Sequence, residues 1–323
     1  MSKGLQREDP FGFVVIDKPA GLTSHACVNR LRQVFGIRRV GHGGTLDPAV
    51  TGVLPIALGS ATRLLPYLPG AKTYRGTIQM GLQTNTDDLQ GDVIQKTPLP
   101  ELDQKTLEKA LQSFRGTIEQ RPPQVSAVHI EGERAYRRAR RGEQMELPLR
   151  SITIHELRLL HWDPKRGKLE LQVHCSAGTY IRSLARDLGA KLNCGGCLAN
   201  LRRIQALGFE EQLAIPLPAK LQRTDEPKPN VHAPLTALDH LPRIEINTQE
   251  EALWSCGRQL TIKPERCQPA PEAARKTEPT ADHAEQSSSK PPMVVIAETS
   301  RVLGIGTWES LEQLKPKVVF NAI

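Results

Sequence analysis

Residues 168–192 read KLELQVHCSAGTYIRSLARDLGAKL, and this stretch sets the class of the fold. Polar and apolar side chains alternate through its first eight positions, as on a half-buried strand. Ser-Ala-Gly ends the alternation, and a helical pattern follows. Just upstream, SITIHELRLLHWD (151–163) reads as another strand. Further back, KTYRGTIQMGLQTNT (72–86) also alternates, with Thr73, Arg75 and Thr77 opposite Tyr74, Gly76 and Ile78. Residues 101–114 read as a helix. Near the start, FGFVVID (11–17) is a short buried strand and KPAG a turn. Thr23 or Ser24 can cap a helix through HACVNRLRQVF that stops at Gly36. Paired strands with helices between them predict an α+β fold on a mixed, mostly antiparallel sheet flanked by helices and loops.

The chain has 323 residues, enough for more than one domain. It holds no run of 18 apolar residues, and its N-terminal stretch lacks the apolar core of a signal peptide. A cytoplasmic protein without membrane contact is the expectation. The net charge of +8 suits a polyanionic partner: RNA, DNA or an acidic surface. Six scattered cysteines argue against a secreted disulfide framework. Cys194 and Cys197 form CGGC, but a compact zinc site needs a second close pair, and none follows. Free thiols and no bound metal are expected. There is no P-loop or dinucleotide fingerprint either, so no cofactor is expected.

Residues 264–292, PERCQPAPEAARKTEPTADHAEQSSSKPP, hold six prolines and no Val, Ile, Leu, Phe, Tyr or Trp. Such a segment buries too little apolar surface to offset its ordering entropy, which predicts disorder. Apolar stretches on either side, RIEINTQEEALWSCGRQLTI before and MVVIAETSRVLGIGTW and KVVFNAI after, read as one small β-rich domain. Its boundary is placed near residue 240, giving domains 1–240 and 241–323.

The chemistry points elsewhere, to VGHGGTLDPAVTGVLP (40–55). Glycines there permit unusual backbone angles and close approach of a flat ligand. Asp47 is the single carboxylate in the stretch. An aspartate before proline is also a common turn former. His42, five residues upstream, could stack on or prop apart bases, or be an ordinary polar loop residue.

Around this loop the sequence resembles the TruB family, the bacterial tRNA pseudouridine-55 synthases. GHGGTLDPAVTGVLPIALGSATRL is similar to the family's catalytic-loop motif. VVIDKPAGLTSH resembles its lysine-proline motif, and KTYRGTIQMGLQTNTDDLQGDV its tyrosine motif. SAGTYIRSLARDLG resembles its arginine motif, and LRRIQALGF its leucine motif. The likeness runs in order from about Gly12 to Phe209. Beyond, the family often carries a small PUA-like RNA-binding domain.

This resemblance implies a pseudouridine synthase fold and an isomerase that moves the glycosidic bond of a uridine from N1 to C5, without cofactor or metal. The base must leave its stack first. Carried over, Asp47 is the nucleophile, whether it attacks the ribose carbon, attacks the ring, or acts as a base toward a glycal. Arg182 would pair with it and hold it ionised. Tyr74 would stack on the uracil and take the C5 proton. Tyr180 and Leu201 would line the pocket. His42 would fill the space of the flipped base. Lys18 and Pro19 would shape the sheet end.

The segment ERAYRRARRGEQ (133–144) is the densest basic run, with Arg134, Arg137, Arg138 and Arg141 at helical spacing. In the family the corresponding insertion, about 124–150 here, grips the tRNA arm. Phosphate contacts of this kind give salt-sensitive affinity and little sequence information. The reading that follows is a monomer acting on the T-arm of tRNA. Two others stand beside it: a guide-RNA-dependent, dyskerin-like synthase, and a non-catalytic RNA-folding protein in which Asp47 is structural.

Overall fold

The computed structural model describes residues 10–126, 128–130, 132–219, 227–271 and 291–320. They divide into two compact units. One comprises the described residues up to Pro48, Val53–Pro69 and those from Ala206 onward; the other comprises Ala49–Gly52 and Gly70–Gln205.

The first unit opens with strand β1 (Gly12–Lys18), buried almost throughout. Helix α1 (Ser24–Phe35) follows, capped as its sequence predicts. Thr23 accepts the Ala26 N–H, and Gly36 ends the helix in the left-handed conformation that glycine adopts without strain. Strands β2 (Val40–His42) and β3 (Thr51–Leu58) pair antiparallel, with His42 opposite Ile56. The loop that contains Asp47 is therefore a hairpin connection. A nine-residue 3-10 helix, Gly59–Tyr67, continues from β3.

The second unit is a sheet of long strands. Strand β4 (Lys72–Met80) stops at Gly81, and the hairpin β5 (Leu82–Thr84) with β6 (Val93–Lys96) follows. Helix α2 (Gln104–Gln112) leads to β7 (Gly116–Gln120). The basic insertion forms the short hairpin β8 (His129–Ile130) and β9 (Glu133–Arg134), then helix α3 (Ala135–Arg140). Strands β10 (Arg150–Asp163) and β11 (Lys168–Cys175), helix α4 (Ile181–Lys191) and strand β12 (Gly196–Ala206) complete it. The strand order is β12-β4-β11-β10-β7. Thr73 and Thr77, on the face opposite Tyr74 and Ile78, are buried too, so β4 is covered at these positions on both faces.

Back in the first unit, the short strand β13 (Phe209–Glu210) precedes β14 (Ile215–Pro216), which lies parallel to β1. The C-terminal residues build a six-stranded sheet from β15 (Arg243–Ile246), β16 (Leu260–Thr261), β17 (Cys267–Gln268), β18 (Met293–Ala297), β19 (Val302–Trp308) and β20 (Gln313–Val319). Its order is β16-β20-β19-β18-β15-β17. Helix α5 (Thr248–Ser255) carries a complete capping box between Asn247 and Glu250. Its Trp254 is fully buried and donates its indole N–H to the Leu303 carbonyl at 3.1 Å.

Two results differ from the sequence reading. The residues at the head of the segment 264–292 are ordered: Pro264–Arg266 make one 3-10 turn, and Cys267–Gln268 pair with Arg243–Ile244. Arg266 holds them by donating to Glu250 and to the Glu245 carbonyl. Proline content hid a short edge strand that gains its partners only in the folded sheet. Residues 272–290 lie outside the described residues. The second difference is the core. Phe13, Val15, Val53, Ala57 and Leu64 pack with Val294, Ile296, Ile305 and Phe320 in one cluster that crosses residue 240.

Candidate active site

In the first unit the backbone on both sides of Asp47 is anchored. Leu46 donates its N–H to Ser24 Oγ at 2.8 Å, and Ser24 Oγ donates back to the Leu46 carbonyl at 3.2 Å. On the other side the Pro48 carbonyl accepts from Lys18 Nζ at 3.1 Å and from the Gly21 N–H at 2.8 Å. Lys18 also donates to the carbonyls of Pro19 and Leu22, and it is fully buried. An ammonium has three donors, and here three carbonyls take them. The lysine-proline segment thus shapes this loop. Asp47 itself is half-buried.

His42 stands at the end of β2, also half-buried. The Gly44 N–H donates to its Nδ1 at 3.3 Å, so the proton of the neutral ring sits on Nε2.

In the second unit Tyr74 lies on β4 and is buried. Its phenol hydrogen-bonds the guanidinium of Arg203 on β12, which is 1% exposed. Burial pulls the Arg203 guanidinium down from its ordinary value, and the Tyr74 hydroxyl opposes that. Leu201 covers Gly76 on the same face of β4 as Tyr74; a Cβ at 76 would come within 2.9 Å of Leu201 Cδ1. Gly52 is needed for a related reason. It has φ +103°, and a Cβ there would meet the Arg203 carbonyl oxygen at 2.1 Å.

Arg182, near the start of α4, is not a surface helix arginine. It is buried, donates to the carbonyls of Thr86 and Val125 at 3.2 and 2.9 Å, and lies 3.8 Å from the Asp88 carboxylate. Next to it Arg186 bonds Asp87 and Asp187. Burial pushes the Asp87 carboxyl up, against the pull of Arg186. Tyr180 precedes α4, exchanges backbone hydrogen bonds with the Gln120 side chain, and packs on Val128, Ala135, Met145 and Leu147.

The basic run is less free than its spacing implied. Only Arg137 and Arg138 of the four lie within α3; Arg134 precedes it and Arg141 follows it. Glu133 binds Arg141 through both carboxylate oxygens, and Glu143 binds Arg138 and Arg141. Those hydrogen bonds hold both carboxyls below the usual carboxylate range. Arg134 and Arg137 are exposed.

Arg203, Asp87 and Asp88 escaped the sequence reading as individual residues. The paired acids of NTDDLQGD were visible, but nothing local linked them to arginines about a hundred positions away. For Arg203 the local signal pointed to solvent, because it stands in an Arg-Arg pair. Among the described residues no group of three His, Cys, Asp or Glu could hold a metal, and no helix is long and apolar enough to cross a membrane. Burial raises the Cys194 and Cys197 thiols, the latter to about 11.

The chain has a broad set of relatives. A model of the TruB family pseudouridylate synthase N-terminal domain matches residues 32–181. The chain is 59% identical to tRNA pseudouridine synthase B of Prochlorococcus marinus strain MIT 9313, over 97% of this chain and 98% of that protein. It is 58% identical to the protein of that name from Synechococcus sp. strain WH7803, again over 97% and 98%. Among solved structures it resembles a chain in an H/ACA RNP bound to a substrate RNA containing 2′-deoxyuridine. The TM-score is 0.68 at 22% identity, covering 96% of this chain and 85% of that one. A likeness at that identity speaks for the fold. The five ordered motifs, the shared fold and the identity across nearly the whole chain lead to one assignment: this chain belongs to the TruB family of pseudouridylate synthases.

Proposed function

We propose that this chain isomerises uridine to pseudouridine in tRNA, at position 55 of the T-loop, acting as a monomer. The observation that carries the reading is the 59% identity, over 97% of the chain, to a tRNA pseudouridine synthase B. The anchored loop agrees with what the chemistry needs. An isomerisation that breaks C1′–N1 and makes C1′–C5 consumes nothing, so it asks for positioning and one ionised carboxylate. Asp47 is that carboxylate, with Leu46 and Pro48 pinned on either side.

The other roles follow the same reading. Arg182 balances the carboxylate's charge. Tyr74 stacks on the extruded uracil and removes its C5 proton. Tyr180 and Leu201 line the base pocket, and His42 occupies the place of the flipped base. Arg134, Arg137, Arg138 and Arg141 contact RNA phosphates. Residues 241–323 serve as a PUA-like RNA-binding domain.

The fold is shared with a chain of an H/ACA RNP, so fold alone does not separate independent from guide-dependent action. The purified chain with an unmodified tRNA transcript and no other RNA decides it. The expected product is pseudouridine at position 55, located by chemical mapping. No product without a guide, or modification at another nucleotide, overturns the reading.

A further inference from the structure

Gln120 ends β7 and is 2% exposed. A buried amide must place both its donor and its acceptor. Gln120 gives both to one residue. Its Nε2 donates to the Tyr180 carbonyl at 3.1 Å, and its Oε1 accepts the Tyr180 N–H at 2.8 Å. Tyr180 is the N-cap of α4, and its own side chain makes no capping bond. The Gln120 amide therefore holds the head of α4 much as a neighbouring strand would hold a strand. The backbone of Gln120 is itself fixed in the sheet, opposite Arg150 of β10.

The residues after Gln120 continue the tie. The Arg121 carbonyl accepts from Ser183 Oγ at 2.8 Å and from the Arg186 guanidinium at 2.9 Å, both on α4. The Arg121 guanidinium donates to the Leu147 carbonyl at 2.6 Å. Pro122 and Pro123 follow, and their rings stiffen the chain by fixing φ. Gln124 then repeats the pattern of Gln120. Its Nε2 donates to the Met145 carbonyl at 2.8 Å, and its Oε1 accepts the Met145 N–H at 3.2 Å. The Val125 carbonyl accepts from Arg182 at 2.9 Å. Met145 and Leu147 lie where the basic insertion ends, and with Val128 and Ala135 they pack on Tyr180. One short strap, residues 120–125, thus holds both the root of the insertion and the head of α4.

We propose that Gln120 is a positioning residue for the isomerisation: its amide sets the Tyr180 backbone and, through the first turn of α4, the guanidinium of Arg182, and the strap makes insertion and site move as one body. This rests on the function proposed above. In this role Gln120 meets neither RNA nor the reacting base; it acts through Tyr180 and Arg182. RNA held by the insertion is then felt at Arg182 through Gln124, Val125 and the packed side chain of Tyr180. Position matters here because a misplacement of about 1 Å in a catalytic constellation costs about 100-fold in rate.

The first arm of the test needs no catalysis. The chain has four tyrosines, and in the RNA-free protein labelled with 13C tyrosine the resonance missing from Tyr180→Phe reports Tyr180. It should shift in Gln120→Met and, by a smaller amount, in Gln124→Met, while the Tyr67 resonance stays in place. A Tyr180 signal that Gln120→Met leaves unmoved overturns the proposal whether or not the chain modifies tRNA. One that Gln124→Met leaves unmoved separates insertion from site and overturns the coupling. The second arm is single-turnover kinetics on an unmodified tRNA transcript. Gln120→Met should lose about 10-fold or more in rate with tRNA affinity within about two-fold. Gln120→Glu, which keeps the acceptor for the Tyr180 N–H, should lose less. Trp162→Phe gives up a bond from its indole N–H to the Leu102 carbonyl at the other end of β10, and serves as the stability control. It should keep the wild-type rate at a comparable loss of melting temperature. A parallel fall of rate in both variants, or a loss of affinity in Gln120→Met as large as its loss of rate, would show a glutamine that only stabilises the fold.

Discussion

Ser24 makes two hydrogen bonds to one residue: its hydroxyl accepts the Leu46 N–H at 2.8 Å and donates to the Leu46 carbonyl at 3.2 Å. One side chain satisfies both backbone polar groups of Leu46, the residue preceding Asp47. Removing it leaves a buried donor and acceptor, at about 1–3 kcal/mol. Ser24→Ala should lower the melting temperature by several degrees. It should also slow pseudouridine formation more than it weakens tRNA binding. Equal rates at full stability would show that the loop needs no such anchor.

Asp47→Asn keeps the loop's shape and removes the negative charge. The variant should bind tRNA within a few-fold of wild type and form no pseudouridine, read by tritium release from C5-labelled substrate. Product at the wild-type rate would sink the nucleophile assignment.

Lys18→Met deletes an ammonium that serves the carbonyls of Pro19, Leu22 and Pro48. Two part-buried carbonyls lose this donor and the third, of Pro48, keeps only the Gly21 N–H, so a destabilisation of about 2 kcal/mol or more is expected in denaturant titrations. A loss under about 1 kcal/mol would mean that water replaces the lysine.

Lys72 gives a pH signature. Its folded value of about 8 lies below its ordinary 10.5, so between these values the unfolded chain holds a proton that the folded chain lacks. Stability must then rise with pH across that window, by the linkage sign. The penalty of charging the buried lysine is complete below pH 8. Relative to Lys72→Met, the wild-type chain should become more stable from pH 8 to pH 10. A constant difference between the two would contradict the depressed value.

In the basic insertion, Glu143 draws on Arg138 and Arg141. Glu143→Gln should therefore tighten tRNA binding and steepen its salt dependence. Arg137→Glu with Arg138→Glu should weaken binding and flatten the salt slope. An unchanged slope in both would move the phosphate contacts elsewhere.

Much of this molecule was legible in order along the chain. The cap of α1 at Thr23 and its stop at Gly36 are local chemistry, written in adjacent residues. The α+β class followed from alternation in β4, β10 and β11, because side-chain period records which face is buried. Asp47 stood out because glycines isolate it.

Tertiary structure decided the rest. Nothing near Leu46 announces Ser24, twenty-two positions earlier, and nothing near Tyr74 announces Arg203. Arg203 reads as a solvent residue in sequence and is fully buried in the fold. The same holds for Arg138 and Arg141, whose charge the sequence counted as free and the fold shares with carboxylates. Local pattern reports propensity and facing. Which groups neutralise or orient one another depends on distances that exist only once the strands have paired.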